Sequence, residues 1–391
     1  MRALTWQGTM KVRVDEVPDP VLQDATDAII RVTSTAICGS DLHLYDVLGP
    51  FLDKGDVLGH EPMGIVEEVG SGVTSLSVGD RVVIPFVIAC GFCYMCQKGL
   101  TTQCETTQNR KSGTGASLYG YTELYGSVPG GQAELLRVPF ADFNALKVGT
   151  ELPDERYLFL SDILPTAWQG VQYCELPEGG VLAVLGLGPV GQFASRIGKY
   201  LGHRVIAVDP VPERRAMAER HGIETFDLTD DIADRLREAT EGRGPDAVVD
   251  AVGMEAHGNP VAAFGQFATG LLPDALAKKA AETVGVDRLA AMMLAFDVVK
   301  RGGTVSLSGV YAGAADPVPF MTIFDKGITL KMGQCNVHRW LDELLPLAED
   351  PADPLGIDDL VTHQVPLEDA ARMYDVFKKK EDGCIKVVLK P

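Results

Sequence analysis

Four cysteines, Cys90, Cys93, Cys96 and Cys104, fall within 15 residues of one another. The spacing C-x2-C-x2-C-x7-C gathers four soft donors into one short, glycine-containing loop. Zinc held by four thiolates is tetrahedral and has no open position, so the loop is expected to hold a structural metal. An iron–sulfur cluster is the alternative occupant of the same donors. Three further segments carry possible ligands: Cys38-Gly39-Ser40-Asp41-Leu42-His43, Gly59-His60-Glu61-Pro62 and Ser161-Asp162-Ile163-Leu164-Pro165-Thr166. A different chemistry is written in Gly186-Leu187-Gly188-Pro189-Val190-Gly191, which fits G-x-G-x-x-G. Gly186 allows the tight turn, Gly188 lets a pyrophosphate approach the backbone, and Gly191 lets helix and strand pack closely. Pro189 and Val190 open the helix, whose unpaired N–H groups and positive potential suit phosphates. Asp209 ends the next strand, where a carboxylate takes both ribose hydroxyls and disfavours a 2′-phosphate. That reads as NAD, although Arg214 and Arg215 lie near enough to keep NADP open.

These residues need particular elements beneath them. Residues 181–186 are a continuous apolar run, suited to a strand buried on both faces. A helix from 189 to 201 follows, then a strand at 204–209, a helix through 220 and an apolar run at 246–253. A helical stretch at 291–303 and a strand at 304–310 close the series. Strand and helix alternating in this way predict a doubly wound parallel sheet, an α/β architecture. Residues 1 to about 160 have another texture. Short β-like runs at 28–33, 64–69 and 81–85 are punctuated by turn residues, which predicts a compact β-rich unit. Mixed texture returns after about 335 and ends in a strand-like run at 384–391. The expected organisation is a β-rich domain of residues 1–164 and 336–391, interrupted by a nucleotide-binding domain of residues 165–335. Residues 255–285 are long for one connection and read as an insertion, with a helix around 276–284.

Composition bounds the partners. There are 35 Lys+Arg against 54 Asp+Glu, a formal net charge of −19. Such a surface repels phosphate backbones and anionic lipid, so no nucleic-acid or membrane partner is expected. No run approaches the roughly 18–20 apolar residues of a membrane span. Charged residues recur from Arg2 to Glu16, which leaves no room for a signal-peptide core. The default compartment is the cytosol, where clustered cysteines bind metal more often than they form disulfides.

Residues 59–82, GHEPMGIVEEVGSGVTSLSVGDRV, resemble the zinc signature of the medium-chain dehydrogenase/reductase superfamily, which includes the zinc-dependent alcohol dehydrogenases. The resemblance runs in family order through CGSDLH, GHE, the four-cysteine loop and GLGPVG, and covers nearly the whole chain. The segments SDILPTAWQG (161–170) and GGQAELLRVPFADFN (130–144), with the insertion after 255, are similar to the glutathione-independent formaldehyde dehydrogenase and formaldehyde dismutase branch. The resemblance implies a GroES-like catalytic domain beside a Rossmann domain, two zinc ions and NAD. It implies Cys38, His60 and Asp162 as ligands of a catalytic zinc with one open position, and Asp41 as the residue that orients His60. Glu61 is implied as a neighbour of the metal or an alternate ligand. Ser40 and then His43, near solvent, are implied as a proton relay. Thr166 is placed near the nicotinamide amide, Lys386 near the cofactor phosphates and Phe86 on the substrate pocket wall. The implied reaction is hydride transfer between an alcohol or hydrated aldehyde and NAD. A dismutase that retains its NAD and a polyol or sugar dehydrogenase are the alternatives. The substrate is a small molecule and the assembly a homodimer or homotetramer.

Overall fold

The computed structural model describes residues 1–253, 289–311 and 318–391. The expected insertion at 255–285, with its helix at 276–284, lies outside the described residues. Two compact units emerge, Met1–Pro165 with Cys335–Pro391, and Thr166–Gln334.

Among the described residues, six parallel strands form the sheet of the second unit. Their order is Glu224–Phe226, Arg204–Val208, Val181–Leu185, Ala247–Asp250, Thr304–Leu307 and Thr329–Met332. Chain order reverses beside Val181–Leu185, whose two neighbours come from later in the sequence. Doubly wound sheets bind ligands at such a switch point, outside the carboxyl ends of the strands. Leu182, Ala183 and Val184 are fully buried, as a strand covered on both faces must be.

The first unit is built on a mostly antiparallel sheet. Its central strand, Ala28–Ile37, pairs with Pro62–Val69, with Leu135–Val138 and with the returning C-terminal strand Val387–Lys390. The C-terminal residues therefore complete a sheet begun at residue 28. Its core packs Ile30, Val32, Val66, Val82, Ile84 and Leu136. The helix Gly39–Asp46 leaves the end of the central strand, and Pro62–Val69 starts just after His60. Both candidate segments thus hang from the same end of two adjacent strands. No helix among the described residues is long and apolar enough to cross a membrane.

Candidate active site and metal centres

The four-cysteine loop folds around its own sulfurs. Cys90 Sγ lies 4.0 Å from Cys96 Sγ, and Cys93 Sγ lies 3.9 Å from Cys104 Sγ. A tetrahedron with Zn–S bonds of about 2.3 Å has edges of about 3.8 Å, so the spacing fits zinc and excludes disulfides. The N–H groups of Cys90, Cys93 and Glu105 donate to the sulfurs of Cys104, Cys90 and Cys93 at 3.3–3.4 Å. Four thiolates with backbone donors are a donor set suited to a closed, structural ion.

A second cluster joins Cys38, His60, Glu61 and Asp162, all buried, with one donor atom of each within 4.8 Å of the others. Cys38 Sγ and His60 Nε2 each lie 3.4 Å from Asp162 Oδ2. Cys38 caps the helix Gly39–Asp46, and its N–H donates to Asp41 Oδ2 at 2.9 Å. Asp41 Oδ1 stands 3.1 Å from His60 Nδ1, an ion-pair contact that leaves Nε2 aimed at Asp162. Asp162 sits between the turn Phe159–Ser161 and the helix Ile163–Gln172, so backbone direction changes at the ligand itself. Burial pushes the Cys38 thiol up to about 12, and the carboxylates of Glu61 and Asp162 push the same way. Burial lowers His60, but Asp41 and Asp162 outweigh it and raise the imidazole well above its ordinary range. A thiol, an imidazole and carboxylates crowded together and buried form a donor set that a dication suits.

Around this cluster the structure places the remaining candidates of the first unit. Ser40 Oγ is 3.0 Å from His60 Nε2. Phe86 meets the imidazole edge-on at 6.4 Å between ring centres and is 8% exposed. Its backbone bonds Ser161 on one side and Tyr119 on the other, tying three segments together. His43 departs from the expectation of a solvent-facing group. Asp41 to Tyr45 are all buried in the helix, and His43 keeps only 7% exposure. Lys386, which the resemblance implies near the cofactor phosphates, has its Nζ fully buried, 2.5 Å from Glu61 Oε2 and donating to Ile37 O at 3.2 Å. The reason is charge. Burial raises the Glu61 carboxyl despite Lys386, while burial lowers the lysine, but Glu61, with Cys38 and Asp162, outweighs that and raises it. Glu61 Oε1 has no partner, a buried acceptor beside the other donors. Tyr121, which no motif marks, stands 6.0 Å edge-on from the His60 ring, which Phe86 also meets edge-on.

In the second unit, Gly186 takes φ +86°, and a Cβ on Gly191 would lie 1.8 Å from Gly186 O. No other residue fits there without moving backbone. A Cβ on Gly188 would meet only Arg214 Nη1, at 3.9 Å, so the turn is open above its second glycine. Pro189 opens the helix Pro189–Tyr200, followed by Val190 and Gly191 in its first turn. Asp209 Oδ2 accepts from Leu187 N at 2.6 Å and lies 3.8 Å from Arg214 Nη1. Arg214 Nε is buried without a partner, whereas Arg215 is engaged by Asp209 O and Asp227. The open cradle and the Arg214 guanidinium, whose Nε has no partner, fit an anionic dinucleotide. Thr166 lies, partly exposed, on the helix Ile163–Gln172.

Residues 24–148 match the family described as alcohol dehydrogenase GroES-like domain, and residues 189–264 match zinc-binding dehydrogenase. The chain is 41% identical to the uncharacterized zinc-type alcohol dehydrogenase-like protein AdhB of Bacillus subtilis, with 100% of each chain covered. It belongs to the zinc-type alcohol dehydrogenases of the medium-chain dehydrogenase/reductase superfamily. Glutathione-independent formaldehyde dehydrogenase of Pseudomonas aeruginosa is 34% identical over 96% of this chain and 94% of that protein. Among solved structures, the alcohol dehydrogenase TADH from Thermus sp. ATN1 superposes with a TM-score of 0.81 at 36% identity, covering 100% of this chain and 99% of that one. The family accounts for both metal centres and for the glycine turn as parts of one oxidoreductase.

Proposed function

We propose that this oxidoreductase passes hydride between an alcohol or hydrated aldehyde, formaldehyde being the first candidate, and NAD. The observation that carries the reading is the meeting of Cys38 Sγ, His60 Nε2 and Asp162 Oδ2, with Ser40 Oγ 3.0 Å from the imidazole. These three residues hold the catalytic zinc, and Cys90, Cys93, Cys96 and Cys104 hold the structural one. When bound, zinc supplies Lewis-acid polarisation of the substrate oxygen and NAD supplies the hydride acceptor. Ser40 Oγ receives the proton that the substrate hydroxyl releases. His43, one helical turn along, carries it onward, and its small exposure is the outlet. Phe86 and Tyr121 wall the substrate and exclude water. Glu61 stands by as alternate donor, held off by Lys386. Gly186, Gly188 and Gly191 admit the pyrophosphate, Arg214 faces it, Asp209 selects NAD, and Thr166 contacts the nicotinamide amide.

The edge strand Thr329–Met332 exposes Leu330 and Met332, and the helix Phe320–Lys326 exposes Phe320, Met321 and Phe324. An apolar edge strand, unpaired on its outer side among the described residues, supports a homo-oligomer formed through this face. Replacing Phe324 by Glu is expected to lower the mass measured by light scattering.

The deciding experiment measures metal and nucleotide in the purified protein, then products with formaldehyde. Two zinc ions per chain and formate made in step with added NAD reduced support the reading. A dismutase instead yields equal alcohol and acid with no added NAD. One zinc per chain, lost with Cys90→Ser, overturns the catalytic site.

A further inference from the structure

The segment GGQ (130–132) lies far in sequence from every proposed metal ligand, yet it is built against the one that carries His60. A Cβ on Gly130 would lie 2.3 Å from Leu58 O, and one on Gly131 2.5 Å from Pro62 Cβ. Gly59, at φ +97°, has Gln132 Cγ where its own Cβ would go. The two backbones run in contact, with Gly131 N donating to Gly59 O and Gln132 N to Leu58 O. Only glycines allow this approach, and it drives the Gln132 side chain beneath the metal-binding loop.

There the amide has one workable orientation. Gln132 Nε2 donates to Ala36 O at 3.0 Å and to Asp41 Oδ2 at 3.2 Å, while Oε1 accepts from Tyr374 OH at 2.8 Å. Turned over, it would set its oxygen against a carbonyl and a carboxylate. Asp41 Oδ2 also accepts from Cys38 N, and Asp41 Oδ1 faces His60 Nδ1. Tyr374 is held in turn, its ring 5.4 Å from that of Tyr45 on the helix that carries Asp41. Gln132, Asp41 and Tyr374 are all fully buried, so no water substitutes for a missing partner.

We propose that Gln132 and Tyr374 are positioning residues for His60, acting through Asp41 to hold the imidazole with Nε2 toward the catalytic metal. This rests on the reading of His60 as a zinc ligand. Tyr374 fixes the amide, the amide fixes the carboxylate, and the carboxylate fixes the ring.

The test follows zinc release to a chromogenic chelator, and the visible absorption of the enzyme with cobalt at the catalytic site. Gln132→Leu is expected to speed release of one of the two metals by up to about 10-fold, the low end of the range for losing an outer partner of a metal ligand, because it acts through Asp41. The cobalt bands should shift. Tyr374→Phe, which keeps the ring and its tilted contact with Tyr45, is expected to act in the same direction by a few-fold. Because both act along one path, adding Tyr374→Phe to Gln132→Leu should change little more. Should Gln132→Leu fail to fold, Tyr374→Phe alone decides. Unchanged release and an unchanged cobalt spectrum in a folded variant overturn the proposal. His60→Ala separates the two readings. If it retains both metals, His60 is no ligand and both fail; if it loses one while Tyr374→Phe is silent, only the network fails.

Discussion

The two metal-binding clusters of the first unit are built on opposite plans. The lobe takes all its donors from residues 90–104, and its own backbone N–H groups point at the sulfurs. Burial works against the Cys104 thiolate, yet hydrogen bonds from Thr107 and the Cys90 backbone bring that thiol down to about 6. The Cys93 thiol is lowered as well, by backbone donors and neighbouring cysteines that outweigh burial, while Cys96 is raised by burial. The second cluster takes its donors from residues 38, 60, 61 and 162. Its thiol is pushed up to about 12 by burial, with nearby carboxylates adding to the effect. A local loop prepares thiolates by its own turns. A site gathered from distant segments sets acids beside one another and depends on an outside cation and on supports such as Asp41. The first arrangement suits permanence, and the second suits exchange of a substrate at an open position.

The contrast can be broken in four ways. The largest effect is expected from Cys90→Ser, which should remove one zinc and lower stability by more than about 4 kcal/mol, the scale of losing a structural metal. Denaturant unfolding measures it, and unchanged stability would mean that the lobe does not hold the fold. His60→Ala should remove the other zinc, lower stability by less than Cys90→Ser does, and cut turnover by more than the about 100-fold of an outer-partner loss. Ser40→Ala comes next, with turnover reduced about 10²–10⁴-fold as for loss of a proton-transfer group. Zinc content should stay at two, and full activity would take Ser40 out of the relay.

The smallest effect concerns how the lobe is docked. His338 stacks on Phe143 at 4.3 Å, and Phe143 fills the space where Gly91 would carry a side chain. Both His338 ring nitrogens are buried without partners, and burial holds its pKa down to about 4 against an ordinary 6.5. The folded state therefore binds its proton less readily than the unfolded chain. The stabilisation is fully present above pH about 6.5 and is lost as pH falls toward about 4. His338→Phe should flatten that part of the melting-temperature profile, and a profile identical to that of the parent would remove His338 from the docking.

Much of this was legible because the signals are local. The cysteine spacing, the glycine turn after an apolar strand and the alternation of strand and helix each lie within a few dozen residues. The partners of those residues were not legible. Gln132 meets Asp41 across 91 residues, Tyr374 meets Gln132 across 242, and Lys386 meets Glu61 across 325. Tyr121 stands in no motif and faces His60 only because the Tyr119 backbone pairs with Phe86. The resemblance puts His43 near solvent, yet the fold leaves it only 7% exposed.

The sequence by itself determined which donors exist and how the lobe and the nucleotide turn are shaped, because turn geometry and backbone sterics act between near neighbours. The tertiary structure alone decided which strand the chain end pairs with, that Lys386 is buried on Glu61, and that a glutamine and a tyrosine stand behind His60. Those outcomes depend on desolvation and on hydrogen bonds between distant segments, which have no value until the segments meet.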